Sequence, residues 1–300
     1  MVEIRRAESD ADLEAWRRVR IAVLPNERTG TVEEIRRAAS PESLYVLAEL
    51  DGRVAGEAHA GRSDLAGRAS LGVRVLPEAR RRGVGTALLG VVASHIESLG
   101  FDEVGSSVDE PESLAFAERF GFREVDRQVE QVRVIGDETW PAPPAGVEVV
   151  RVADRPELWG VAYDQLALQA FADFALDTPL DVSLEQWERD WLAWPEGMFL
   201  AVAGGEVIGC AGLERDADEP ERAENALTAV RRDWRGRGIA SLLKRVSLAF
   251  AAEQGLREVY TWTQRGNADM RRLNEHLGYV TRSESITVRA PLPLPLTQRQ

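Results

Sequence analysis

Thr228-Ala229-Val230, four further residues, then Arg235-Gly236-Arg237-Gly238-Ile239-Ala240-Ser241 is the stretch from which the fold can be read. A β-prone segment runs into a glycine-rich turn and then into an apolar helix. At such a helix start the backbone N–H groups converge and the helix dipole adds positive potential. Small residues let a ligand approach the main chain closely. Arg235 and Arg237 add charge-assisted contacts to outer phosphate oxygens. The pattern predicts a pyrophosphate cradle. One loop of this kind reads equally well as a tight turn with solvated arginines. It is not a Walker loop, because no Gly-Lys-Ser/Thr follows, and its spacing does not fit the dinucleotide fingerprint.

The same design occurs once more. Val73–Val75 leads into Arg80-Arg81-Arg82-Gly83-Val84-Gly85-Thr86. Around these loops the two halves of the chain repeat each other. Gly52-Arg-Val-Ala-Gly56 recurs as Gly205-Glu-Val-Ile-Gly209, and Phe120-Gly-Phe122 as Leu277-Gly-Tyr279. A repeat of this length is a domain rather than a solenoid unit. Two cradles at two strand–helix junctions weigh against solvated turns. The expected organisation is a first domain over 1–137, a proline-rich linker over 138–146, a second domain over 147–290, and a tail over 291–300. The linker, Glu138-Thr-Trp-Pro-Ala-Pro-Pro-Ala-Gly146, is expected to be extended and exposed, and the tail unpacked.

Each copy reads as a short strand, a helix (from Asp10 or Asp154), and a second helix opened by a capping box at Thr31…Glu34 or Ser183…Gln186. A hairpin follows, then a strand into the arginine–glycine loop, a long helix, another strand and a short helix. A closing strand, Val125–Val134 or Thr281–Arg289, is assigned to its own copy. The fold class is α/β: two three-layer domains, each a mixed central sheet flanked by helices.

Composition narrows the function. The 300 residues carry 37 Lys and Arg against 50 Asp and Glu, a net charge of −13, which argues against nucleic acid as the main partner. No apolar run is long enough to span a bilayer, and the start, Met1-Val2-Glu3-Ile4-Arg5-Arg6, lacks the apolar segment of a signal peptide. The expected compartment is the cytoplasm. Cys210 alone makes no disulfide framework, and His59, His95 and His276 lie too far apart for a ligand-spaced cluster, so no metal is expected. Lys244, the one lysine, reads as part of an ordinary amphipathic helix.

The chain resembles the GNAT superfamily of N-acetyltransferases, specifically tandem proteins of bacterial type. Arg80–Gly85 and Arg235–Ala240 both fit its [Arg/Gln]-x-x-Gly-x-[Gly/Ala] signature. Asn267-Ala-Asp-Met270…Asn274…Leu277-Gly-Tyr279 matches its late helix, whereas Glu110-Pro-Glu…Phe120-Gly-Phe122 matches only at the end. The resemblance implies acetyl-CoA or another acyl-CoA. Pantetheine would lie along Thr228, Ala229 and Val230, where parallel strands splay. The pyrophosphate would sit on Arg235, Gly236, Arg237, Gly238, Ile239 and Ala240, with Ser241 adding a hydroxyl. Asn267 would meet the pantetheine or serve as a plain N-cap. In the first copy the corresponding set is Val73, Val75, Arg80, Arg81, Arg82, Gly83, Val84, Gly85 and Thr86.

An ammonium must lose a proton before it attacks a thioester. In the histone-acetyltransferase branch of the family a glutamate about eleven residues before the signature does this work. Here that position is Glu224, and in the first copy it is Ala69. The alternative is that Glu224 belongs to a solvated acidic loop, Asp216–Glu224. The tyrosine acid of many relatives is replaced by Asn274, or by Ala117 in the first copy. Trp187, Trp191 and Trp194 share a helical spacing that suits a core stripe or an acceptor-pocket wall. Asp173, Asp177, Asp181 and Glu185 could attract a cationic amine or simply face solvent.

The resemblance thus implies acetyl transfer to the primary amine of a small molecule or peptide by the second domain, with Glu224 and Asn274 as its catalytic residues. The first domain serves as a scaffold or a second CoA site. The alternatives are a non-catalytic acyl-CoA sensor and a mycothiol-synthase-like acyl transfer. Beyond the amine acceptor, no nucleic acid or membrane partner is expected, and a homodimer is left open.

Overall fold

The capping boxes and the hairpins appear where the sequence puts them. In chain order the computed structural model, which describes residues 1–25, 27–63, 67–173 and 181–296, begins with β1 (Val2–Arg6), α1 (Asp10–Val23), α2 (Val32–Ala38), β2 (Leu44–Leu50) and β3 (Arg53–Arg62). Then come β4 (Ala69–Val75), α3 (Val84–Ser98), β5 (Glu103–Val108), α4 (Pro111–Arg119) and β6 (Arg123–Val134). The second half runs β7 (Glu148–Arg151), α5 (Glu157–Ala162), α6 (Leu168–Asp173), α7 (Leu184–Asp190), β8 (Met198–Ala203) and β9 (Glu206–Arg215). It ends with β10 (Arg222–Val230), α8 (Ile239–Glu253), β11 (Glu258–Gln264), α9 (Ala268–His276) and β12 (Val280–Pro291).

These elements form two units, Met1–Arg127 with Ser285–Gln300 (unit 1) and Gln128–Glu284 (unit 2). In unit 1 the strands run β1-β2-β3-β4-β5-β12, and in unit 2 they run β7-β8-β9-β10-β11-β6. Each sheet is antiparallel except at one pair, β4–β5 or β10–β11. The closing strands correct the sequence assignment. Val129 of β6 pairs with Thr263 of β11, and Val288 of β12 with Ser106 of β5, so each half of the sequence supplies the other unit's last strand. Alternation identifies such segments as strands, but it carries no information about their neighbour.

In unit 1 the α3 side of the sheet packs Leu88, Val92 and Ile96 against Val46, Ala58 and Leu71. The other side packs Leu13 and Trp16 of α1 against Leu47. The tail joins the first core, with Leu294 6% exposed and Leu292 and Leu296 packed beside it, so it is not loose as expected. In unit 2, α8 covers one face through Leu243, Val246 and Phe250, and α5 and α7 cover the other through Trp159 and Trp187. The first helix of this unit is short, and a π turn over Tyr163–Ala167 separates it from α6. The linker is largely exposed, as expected.

The tryptophan stripe divides. Trp187 is fully buried and stacks on Trp159, with ring centroids 4.1 Å apart. Trp191 follows the end of α7, and Trp194 joins the other core, packing on Phe250. The core half of the reading therefore holds for Trp187 and Trp194, but in two different cores, so the single helical face does not extend to Trp194.

Candidate functional site

Each unit has one place where its sheet opens. In unit 2 the parallel pairing of β10 and β11 covers Arg222, Ala223 and Glu224 against Glu258, Val259 and Tyr260, and ends there. Both strands continue, β10 to Val230 and β11 to Gln264, so a gap opens between them. A bulge in β10 between Asn225 and Thr228 adds to the divergence. In unit 1 the pairing of β4 with β5 stops after Ser70 and Gly105.

Beyond each gap lies the arginine–glycine loop, and the two loops share one backbone. Arg235 Nε donates to Val230 O at 3.0 Å, and Arg80 Nε donates to Val75 O at 3.3 Å. Gly238 and Gly83 cap their helices with φ of 78° and 83°, and neither helix has a side-chain cap. Gly236 has φ 74° where the first copy places Arg81 at φ 61°, a left-handed backbone that costs a side-chain-bearing residue about 1–2 kcal/mol. A Cβ on Gly83, Gly236 or Gly238 would meet nothing within 4 Å. The glycine turns are therefore uncrowded and the helix starts carry no side-chain cap, as an anion site requires.

A second observation supports a long ligand in unit 2. Thr228 Oγ1, on the strand beside the gap, is buried with no hydrogen-bond partner. Asn274 Oδ1, on α9, is in the same state, although its Nδ2 donates to Gln131 Oε1 at 2.9 Å. Buried polar atoms without partners are uncommon and ask for an occupant. The residues present therefore fit a pantetheine chain ending in a pyrophosphate. Asn267 is an N-cap, its side chain accepting from Met270 N at 3.2 Å.

The acids are placed unequally. Glu224 stands on β10 rather than in a loop, half-buried, opposite Glu214 and beside Tyr260. The strand reaches further upstream than a charge-rich sequence suggests because Arg222 is buried. It lies 3.0 Å from Glu258 and over the Tyr260 ring. Ala223 packs on the α8 face, so alternation turns Glu224 to the opposite face. Asn274 lies with Thr263 and Gln131 on the α8–α9 side. The two sequence-predicted catalytic residues thus flank the gap from opposite faces of the sheet.

Four further findings complete the picture of the two units. Asp173 receives Arg232 Nε at 2.9 Å and also the Arg235 guanidinium, which hold its carboxyl down at about 2. It therefore pairs with the loop arginines rather than waiting for an amine. Asp181 and Glu185 are exposed, and Asp177 lies outside the described residues. Lys244 is 1% exposed, donates to Asn225 Oδ1 and faces the Tyr279 ring; burial pulls its ammonium down to about 7. Cys210 is buried, and its thiol is pushed up to about 12 by desolvation, which removes it as a nucleophile.

The fourth finding is a polar cluster in unit 1. Glu57, His59, Arg74 and Arg20 gather on the face of β3 and β4 that carries α1. The available signal was polar residues at alternate positions, 57 and 59, in an otherwise apolar strand. Among the described residues, no group of His, Cys, Asp or Glu could hold a metal ion, and no helix is long and apolar enough to cross a membrane.

Known proteins are similar to this chain in sequence and in fold. The profile of the Acetyltransferase (GNAT) family matches residues 6–122 and again 161–279. A mycothiol acetyltransferase of Nocardiopsis dassonvillei is 32% identical over 270 residues, covering 81% of this chain and 80% of its own. One from Saccharomonospora viridis is 29% identical over 231 residues, covering 73% and 74%. Among solved structures, a tandem GNAT protein from the clavulanic acid biosynthesis pathway superposes with a TM-score of 0.77 at 19% identity over the full length of both chains. Two matched regions, each with a splayed strand pair leading to an uncapped arginine–glycine helix start, establish that this chain is a tandem member of the GNAT acetyltransferase family, an acyltransferase that uses acetyl-CoA.

Proposed function

We propose that unit 2 acetylates the primary amine of a small molecule or peptide, with Glu224 as the base. The observation that carries this reading is the position of Glu224. It is the last residue of β10 to pair with β11, so its carboxylate stands where the strands part. An amine of pKa about 10 is almost wholly protonated at neutral pH, and a carboxylate at the mouth of the gap can take its proton, directly or through one water. The thioester of acetyl-CoA supplies the acetyl group. The Arg235–Ala240 amides hold the pyrophosphate, Thr228 and Asn274 meet the pantetheine, and Asn274 Nδ2 is already fixed by Gln131. Asn274 positions and cannot donate a proton as an acid does. The departing sulfur therefore takes its proton from solvent or from Glu224.

Glu224→Gln is expected to keep coenzyme A affinity and to lower kcat by about 100-fold or more. Unchanged turnover would remove Glu224 from the mechanism. A second reading, acyl transfer of the mycothiol acetyltransferase kind, draws on relatives of that name aligned over about four fifths of the chain. An acceptor panel that includes the amine of an amino-sugar conjugate separates the two. Preference for that conjugate over simple amines and peptides would favour the second reading.

A further inference from the structure

Where unit 2 is apolar, unit 1 is charged. Cys210 pairs in register with Ala229; the equivalent pair in unit 1 is Glu57 with Arg74, at 3.3 Å. Glu57 is wholly buried, and its Oε2 has no partner. Two residues on, His59 lies edge-on to Trp16 at 5.6 Å and against Tyr45 at 6.4 Å. Its imidazole crosses over Gly72 of β4: a Cβ there would fall 2.3 Å from His59 Cε1 and 2.4 Å from Arg74 Nη1. His59 Nδ1 is buried and has no partner either. Gly72 follows two residues after Ser70, the last β4 residue paired with β5. The ring therefore leans from β3 across β4 towards the place where the sheet opens. The same strand runs on into Arg80–Gly85.

We propose that unit 1 is a second acetyl-transfer centre, in which His59 is the base and the acceptor is a small amine that carries a carboxylate, held by Arg74. The proposal rests on Arg80–Gly85 binding coenzyme A. In the step the amine nitrogen bonds to the acetyl carbon as the carbon–sulfur bond breaks. The ammonium first gives one proton to solvent; a second passes from the attacking nitrogen to His59 and then to the departing thiolate, which regenerates the neutral ring. Burial, reinforced by Arg74 and Arg20, holds His59 well below the ordinary histidine range, so the base is unprotonated at neutral pH. Burial also raises Glu57 to about 7, against the pull of the same two arginines. Arg20 is paired with Glu27 at 3.0 Å, whereas the carboxyl beside Arg74, Glu57, is partly neutral at pH 7, so Arg74 is the guanidinium left with charge for an acceptor's own carboxylate. Glu57 is a positioning residue, fixing the Arg74 fork.

The first test is calorimetry of coenzyme A binding to the full chain. Two equivalents are expected, falling to one in Gly83→Val, whose φ of 83° a β-branched residue does not tolerate. One equivalent that is indifferent to Gly83→Val overturns the proposal at the loop. The second test uses the Glu224→Gln chain, with thiol release followed on L-amino acids and their amides. Residual turnover is expected, with acids favoured about tenfold over amides. It should fall about 100-fold on adding His59→Asn while both coenzyme A equivalents remain. Gly72→Ala, which pushes the ring aside but keeps it, should give the same loss. The NMR signal of the His59 ring should shift when coenzyme A is added to the otherwise wild-type chain. No residual turnover, indifference to His59→Asn, or equal use of acids and amides overturns the second centre and leaves Glu224 untouched. Turnover that survives Glu224→Gln in full but falls with His59→Asn supports this centre and sinks the reading of unit 2.

Discussion

Glu57 and Cys210 occupy one and the same strand position in the two copies, each directly after the glycine that pairs with the last residue of the cradle strand. Only the first is ionisable near neutrality. Its carboxyl, raised to about 7 by burial, lies above its ordinary 4.5. Stability from the neutral form is thus fully present below about 4.5 and is lost as pH rises through 7. The opening free energy of the β3 amides, read from hydrogen exchange relative to the intrinsic rate at each pH, should fall across that window. Glu57→Gln should abolish the fall, a difference of up to about 3 kcal/mol. An identical pH profile in the variant would place the charge elsewhere.

Lys244 gives the opposite slope in unit 2. Burial holds it at about 7 against an ordinary 10.5. Between those values the unfolded chain binds the extra proton, so unit 2 gains stability as pH rises from 7 towards 10. Below 7 both states are charged and the slope vanishes. Lys244→Met should remove the rise seen in urea unfolding. At pH 6 it should be neutral or stabilising, since an apolar side chain replaces a buried charge.

Asp173 competes with a ligand for the loop arginines. Its carboxylate already holds Arg232 and Arg235. Asp173→Asn should tighten coenzyme A binding to unit 2 by about three- to tenfold and steepen its salt dependence, because two guanidiniums are released to phosphate. Calorimetry at two ionic strengths reads both effects. Weaker binding in the variant would mean that Asp173 orients the arginines rather than occupying them.

Trp159 and Trp187 are joined twice beyond their stacking. Trp187 Nε1 donates to Trp159 O at 2.9 Å, and Trp159 Nε1 donates to Trp187 O at 3.3 Å. Trp187→Phe keeps a ring but leaves the Trp159 carbonyl unpaired, and should cost about 1–3 kcal/mol. Trp187→Ala adds a cavity and should cost about 3–5 kcal/mol. Thermal unfolding by far-ultraviolet dichroism ranks the two, and no loss in Trp187→Phe would show the Trp187 hydrogen bond to be without net effect.

The parts of this architecture governed by local chemistry were legible in the sequence. Both capping boxes close as their residues require, with Thr31 accepting from Glu34 N and Ser183 from Gln186 N. The cradle glycines take the left-handed backbone that a tight strand-to-helix turn demands. What escaped depends on partners distant in sequence. Arg222 looks solvated until Glu258 and Tyr260 are brought beside it. Lys244 looks like surface until Asn225 and Tyr279 close over it. His59, read as an isolated histidine, becomes part of a site only when Gly72 leaves room for its ring and Arg74 lies alongside. The order of the closing strands is another long-range choice that alternation alone does not encode.

The order of synthesis meets that choice directly. Residues 286–291 complete the β5 edge of a body whose other strands were made first, so synthesis must pass residue 291 before that edge is paired. Until then β5 offers open amides and carbonyls. A nascent product truncated after residue 137 would keep β6 without its β11 partner and β5 without β12. The two acetyltransferase folds therefore cannot be parted by cutting at the proline-rich link. Any gene split there would have to return both pieces to the same cell for either to close.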